Sequence, residues 1–127
     1  MSRVVRYYPE SYYIVLFNTT TGTHIRYGQG VIDPFCNIKT PELLDVSITN
    51  YCNRECDFCY KKSNSYGHHM GIGDYDTLLR QAVDAGVLQI ALGGGNPNQH
   101  PHFVEILKRT RTSGIVPSYS TNGEGVD

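Results

Sequence analysis

From residue 43 onward the chain alternates short strand patterns with helical ones, and this alternation limits its fold more than any other feature. Leu44-Asp45-Val46-Ser47-Ile48-Thr49 alternates apolar and polar side chains with the period of a strand. A loop follows as far as Gly73. Asp74 then offers an N-cap, Leu78, Leu79 and Ala82 fall at helical spacing, and Gly86 supplies a stop. Val87-Leu88-Gln89-Ile90-Ala91-Leu92 reads as a second strand and runs into Gly93-Gly94-Gly95. A second helix is expected from His100-Pro101, with Pro101 at the first helical position and Phe103, Ile106, Leu107 and Thr110 along one face. Lys108, Arg109 and Arg111 fall near its C-terminal end, where cations complement the helix dipole, and Gly114 ends it. Ile115 to Thr121 is a third strand, weakened by Pro117 and turned by Asn122-Gly123. The order β-α-β-α-β argues an α/β fold with parallel strands joined by right-handed crossovers.

In parallel sheets of this kind ligands bind at the carboxyl ends of the strands. The unusual segments of this chain all fall on that rim: a cysteine run after the first strand, the glycine run after the second, and Thr121-Asn122-Gly123 after the third. The cysteine run, Cys52-Asn53-Arg54-Glu55-Cys56-Asp57-Phe58-Cys59, has the spacing C-x-x-x-C-x-x-C. Three thiolates this close on one loop can hold three irons of a cubane cluster and leave the fourth without a protein ligand. An open iron can bind a small molecule and pass it an electron. Glycines at a strand end let the backbone come close to a ligand because no Cβ intrudes. A zinc site is the rival reading: His68 or His69 could complete a closed Cys₃His tetrahedron. A zinc knuckle, however, needs neither a glycine rim nor a β-α-β unit. Merely structural, buried cysteines fit poorly with a polar loop.

The N-terminal third reads as a β-hairpin. Tyr12 to Phe17 is rich in β-formers, Asn18 to Gly22 is the turn, and Thr23 to Tyr27 is the return strand. Gly28, Gly30 and Pro34 break the pattern, and Gly28-Gln29-Gly30, with no helix after it, is a turn and not a phosphate loop. Residues 1–40 are therefore expected to form a hairpin extension and linker, and residues 41–127 a core domain. A net charge of −1 gives no basic face for nucleic acid. The start lacks the apolar region of a secretory signal, and no apolar run approaches the roughly 20 residues of a membrane helix. A cytoplasmic protein is expected, in which thiols stay reduced and clustered cysteines serve metals or catalysis. Cys36 reads as a small half-buried residue, and His100 and His102 as cap and surface residues of a helix start. No Gly-x-Ser-x-Gly, Walker loop or His-Glu-x-x-His competes as a chemical centre.

At the cysteine run the chain resembles the radical S-adenosylmethionine (radical SAM) enzymes, whose motif is C-x-x-x-C-x-aromatic-C, with Phe58 in the aromatic slot. The likeness continues in Cys59-Tyr60, in Gly94-Gly95-Asn96-Pro97 where the family has Gly-Gly-Glu-Pro, in His100-Pro101 and in Thr121-Asn122-Gly123, and covers residues 43–123. It implies the first half of a partial (β/α) barrel and a 4Fe-4S cluster on Cys52, Cys56 and Cys59. It also implies S-adenosylmethionine on the open iron, cleaved reductively to a 5′-deoxyadenosyl radical that takes a hydrogen atom from a substrate. Phe58 would lie beside the adenine, Gly93, Gly94, Gly95 and Asn96 would bound the methionine end, and Asn122 would lie on the third strand's rim. The same likeness makes a peptide the first expectation for the substrate, with cofactor biosynthesis and RNA modification left open, and implies an electron donor such as a flavodoxin or ferredoxin.

Two departures shape the expectations. Asn96 replaces the family's Glu, so a neutral acceptor would meet the cofactor's ammonium and bind it more weakly; Asn96→Glu would then change the affinity. Only the first strand–helix units of the barrel are present, and the third strand would expose an edge, which favours a fragment of a longer protein. The alternative is a zinc-binding or catalytically inactive, truncated interaction module.

Overall fold

The computed structural model describes residues 3–9, 13–28, 41–51 and 68–121. These form two three-stranded sheets. The first holds β1 (Arg3–Tyr8), β2 (Tyr13–Asn18) and β3 (His24–Gly28), antiparallel and in that order. The second holds β4 (Leu43–Thr49), β5 (Gln89–Gly94) and β6 (Val116–Tyr119), all parallel. Helix α1 (Ile72–Ala85) connects β4 to β5, and α2 (Phe103–Thr112) connects β5 to β6 after a 3₁₀ turn at Pro97–Gln99.

The two sequence periods meet in one core. Alternation along the strands points Val46 and Ile48 of β4 and Ile90 and Leu92 of β5 into it. Helical spacing does the same for Tyr75, Leu79 and Ala82 of α1 and for Phe103 and Ile106 of α2. Each Val, Leu, Ile or Phe among them contributes about 1.5–3 kcal/mol on full burial. The buried hydroxyls of Tyr75 and Thr110 are paired. Thr110 Oγ1 gives its proton to the Ile106 carbonyl (2.7 Å), so the Tyr75 hydroxyl donates to Thr110 Oγ1 at 2.5 Å and links α1 to α2.

The element boundaries differ from the sequence reading in identifiable ways. Helix α1 begins at Ile72, with Gly71 as its cap and Asp74 inside the first turn. Met70 N–H still pairs with the Ile48 carbonyl at 2.7 Å, so the chain stays extended to residue 70 and must turn at once, before Asp74 could cap. Asp74 still complements the helix dipole from there. Pro101 lies ahead of α2, whose cap is His102, because His100 N–H first closes the 3₁₀ turn on the Pro97 carbonyl. Gly86 ends α1 in the left-handed region at φ 84°. Pro117 sits on β6, at the edge of its sheet, where a missing N–H is tolerated. Strand β1, hidden in the sequence among interleaved arginines, pairs residue for residue with β2 from Arg3↔Asn18 to Tyr8↔Tyr13.

The antiparallel sheet packs Tyr8, Val15 and Phe17 onto Leu88 and Val116. Leu88 precedes β5 and Val116 opens β6, so this contact lies at the amino ends of the parallel strands. Arg26 Nε meets Glu42 at 3.1 Å, and the Arg111 guanidinium holds the carbonyls of Thr19 (2.7 Å) and Thr20 (2.8 Å) in the β2–β3 turn. From Leu88 to Gly94 the strand rises about 20 Å at ~3.3 Å per residue. The antiparallel sheet therefore covers the end remote from the glycine rim. Its other face leaves Val5, Tyr7, Leu16, Ile25 and Tyr27 exposed.

Candidate cofactor site

At the carboxyl end of the parallel sheet the glycine run touches the exit of β4. Gly95 N–H donates to the Thr49 carbonyl at 2.7 Å, and Asn96 N–H to the Tyr51 carbonyl at 2.9 Å. This approach requires glycine. Gly94 has φ 127°, a region that residues with a side chain rarely adopt, and a Cβ there would collide with the Thr49 carbonyl; at Gly95 it would collide with the Tyr51 carbonyl. Gly93 is less restricted, since a Cβ would only brush Asp45 Oδ1 at 3.4 Å. Tyr51 is the residue before Cys52, so the glycine rim grips the chain directly ahead of the cysteine run.

The chain returns from that run alongside β4. Asn50 N–H donates to the His68 carbonyl at 2.8 Å, and Thr49 and His69 form an antiparallel bridge. The buried Thr49 hydroxyl accepts Tyr51 N–H at 2.9 Å and lies 2.7 Å from His69 Nδ1. Residues 51 and 68, the described ends flanking the cysteines, are thus held to one strand. Cys52, Cys56, Cys59, Phe58 and Asn122 themselves lie outside the described residues, while Gly93, Gly94, Gly95 and Asn96 stand together at the rim with Thr121, the neighbour of Asn122. Among the described residues no group of His, Cys, Asp and Glu is arranged to hold a metal.

His100, read from sequence as a cap or surface residue, is buried and joins three segments. Its Nε2–H donates to the Met70 carbonyl at 2.7 Å, and its Nδ1 accepts His102 N–H at 3.0 Å, which fixes the neutral tautomer. Its ring meets His69 edge-on with centroids 5.2 Å apart. Thus the strand returning from the cysteines is latched to the start of α2. No local pattern separates such a histidine from a surface one, because its partner is a backbone carbonyl 30 residues away.

Burial holds the His100 imidazole below its ordinary pKa; its bond to Met70 opposes this, and His69 and His102 add to the lowering. The unfolded chain therefore takes up a proton at higher pH than the folded one. The stability linked to His100 is complete above about pH 6.5, the unfolded value, and is lost as pH falls toward the lower folded value. Urea midpoints should drop between about pH 7.5 and pH 5.5, and His100→Asn should flatten that drop. At neutral pH, His100→Ala should cost on the order of 2 kcal/mol, because it orphans the half-buried Met70 carbonyl and the His102 N–H and empties a buried site.

The Radical SAM superfamily profile matches residues 46–127. A probable GTP 3′,8-cyclase of Metallosphaera sedula is 35% identical over 85 residues, 65% of this chain and 27% of that relative. The PqqA peptide cyclase of Ruegeria pomeroyi is 28% identical over 98 residues, 73% of this chain and 25% of its own. The chain spans about a quarter of the length of these curated relatives. Among solved structures, Streptococcus suis SuiB bound to S-adenosylmethionine superposes with a TM-score of 0.68 at 16% identity, over 98% of this chain and 42% of that one. SuiB bound to its precursor peptide SuiA superposes with a TM-score of 0.66 at 16% identity, over 99% and 44%. With the profile running from β4 through the cysteine run and the glycine rim to the last residue, the chain belongs to the radical SAM superfamily.

Proposed function

We propose that this chain carries the cluster-binding half of a radical SAM enzyme core, the first strands of a partial barrel over residues 41–127, with residues 1–40 as an extension ahead of it. One observation carries the reading. Within the stretch matched by the family, the sequence sets three cysteines shortly after Thr49, the last residue of β4, and at the facing rim Gly94 and Gly95 leave no room for a Cβ. The donor set fits an iron–sulfur cluster: soft thiolates suit it, and three of them leave one iron open. Cys52, Cys56 and Cys59 would hold a 4Fe-4S cluster. Phe58 would flank the adenine of S-adenosylmethionine, the backbone of Gly93, Gly94, Gly95 and Asn96 would bound its methionine end, and Asn122 would complete the third rim position. When bound and reduced, the cluster supplies an electron that splits the cofactor's sulfonium into methionine and a 5′-deoxyadenosyl radical able to abstract hydrogen.

The chain's own contribution is placement. The rim hydrogen bonds to Thr49 and Tyr51 tie the leading flank of the cysteine run to the β5 exit, the Asn50–His68 and Met70–Ile48 bonds tie the returning flank to β4, and His100 latches Met70 to the start of α2. Carbonyls of the glycine run can accept from an ammonium, and the glycines let the ligand come near. For the substrate, the peptide reading has two supports. The similarity to the peptide cyclase extends over 73% of this chain, and the fold shared with the peptide-binding SuiB includes the antiparallel sheet. A flavodoxin or ferredoxin would deliver the electron. None of the helices among the described residues is long and apolar enough to cross a membrane.

Metal identity tests this reading. After anaerobic reconstitution with iron and sulfide, the protein should be brown and hold about four irons and four sulfides per chain. A colourless protein with one tightly held zinc, closed by His68 or His69, would refute it.

A further inference from the structure

We propose that Asn96 is a positioning residue that ties the three strand ends of the rim together, and that its side chain serves the cofactor through this tie, without touching the cofactor's ammonium. The inference rests on the proposed S-adenosylmethionine site and deepens it.

Asn96 follows the glycine run and has 0% of its surface exposed. Its main-chain N–H holds the Tyr51 carbonyl, one residue before Cys52, at 2.9 Å, and its main-chain carbonyl accepts Gln99 N–H at 2.9 Å to start the 3₁₀ turn. Its side-chain Oδ1 accepts the hydroxyl of Thr121, just past β6 and directly before Asn122. Thr121 Oγ1 also lies 2.8 Å from the Asn98 side chain. One hydroxyl carries one proton; assigned to the buried Asn96, it leaves the partly exposed Asn98 amide to turn its NH₂ toward the oxygen. The result is a single polar network running from the β4 exit through the β5 exit to the β6 exit.

These are the three rim positions at which a cofactor would be gripped. A ligand-facing acceptor would present its oxygen to open space; Asn96 presents its oxygen to Thr121, with no exposed surface. The loss of the family's carboxylate then has a different meaning from a weakened ion pair. An amide of this length fits a tie from a buried position to Thr121 at the surface. Glu, longer by one methylene and charged, would have to push Thr121 away or pull the rim apart. In this chain the ammonium is left to backbone carbonyls of the glycine run.

The experiment measures S-adenosylmethionine binding to the anaerobically reconstituted, unreduced protein by calorimetry, for the wild type, Thr121→Val, Asn96→Ala, Asn96→Glu and the Thr121→Val/Asn96→Ala pair. Thr121→Val exchanges a hydroxyl for a methyl on a residue assigned no ligand contact. It should weaken binding about tenfold, and the double variant should be no weaker than Asn96→Ala alone, since both remove one tie. Asn96→Glu should weaken binding as well. Thr121→Ser, which keeps the hydroxyl, should restore wild-type affinity. Amide exchange in the apoprotein gives an independent readout: Thr121→Val should speed exchange at the Asn96 and Gly95 N–H groups. Unchanged affinity in Thr121→Val, or tighter binding in Asn96→Glu, would overturn the inference. If a valine variant fails to fold, the Thr121→Ser and Asn96→Glu results decide the matter alone. A wild-type protein that binds no cofactor would sink the proposed function instead, which is a separate outcome.

Discussion

Alanine in place of any one of Cys52, Cys56 or Cys59 should strip the reconstituted protein of its cluster, with iron falling at least about tenfold from roughly four per chain. The size of the effect follows from the ligand count. With three thiolates on four irons nothing is in reserve, and two thiolates leave two irons open to chelation and hydrolysis. Cys36→Ala is the internal control and should retain full iron, since it lies outside the C-x-x-x-C-x-x-C spacing. The folded apoprotein should persist in all four variants, because the buried core is built from Val, Ile, Leu, Tyr and Phe residues of β4, β5, α1 and α2. Iron and sulfide analysis, with far-ultraviolet circular dichroism as the check on folding, separates loss of ligand from loss of structure. Equal loss in Cys36→Ala, or full retention in Cys56→Ala, would contradict the ligand assignment.

The second large effect belongs to Gly94. Gly94→Ala meets two penalties at once: φ 127° is strained for any residue with a Cβ, and that Cβ would collide with the Thr49 carbonyl, a backbone atom on the neighbouring strand. Strain of this kind costs about 1–3 kcal/mol and overpacking about as much again, so about 2–6 kcal/mol is expected. Against a typical domain stability of about 5–15 kcal/mol, this brings the chain near unfolding at 37 °C. Gly73→Ala is the matched contrast. Gly73 sits in the first turn of α1 with nothing near its missing Cβ, and alanine there should stabilise by about 0.5–1 kcal/mol. Thermal melts of the two variants, read against wild type, should move in opposite directions. Equal stability of Gly94→Ala and wild type would mean that the strand ends do not meet as described.

The strand–helix order from β4 to β6 was readable in the sequence because each element carries its own period and its own punctuation. Gly86 stops α1, the apolar stripe of Phe103 and Ile106 marks α2, and Val46 and Ile48 alternate into the core. The place of the glycine run was readable too, as the end of a parallel strand. What local pattern could not supply was anything set by a partner far along the chain. His100 is buried through a bond to Met70, Asn96 through Thr121, and β1 exists because β2 pairs with it; each contact joins residues that share no local motif. The cap of α1 moved from Asp74 to Gly71 for the same reason, since the pairing of Met70 with Ile48 decides where the turn must fall. The docking of the antiparallel sheet at the amino ends, through Leu88, Val116 and Arg111, is likewise a tertiary event with no sequence period of its own.

The proposed chemistry is tested most directly by reductive cleavage of the cofactor. The anaerobically reconstituted protein, given dithionite and S-adenosylmethionine, should release methionine and 5′-deoxyadenosine in equal amounts, and the Cys56→Ala variant should release neither. A wild-type protein that holds a full iron–sulfur cluster yet leaves the cofactor intact, or that cleaves it equally well without Cys56, would contradict the proposal that an open iron on this loop activates S-adenosylmethionine.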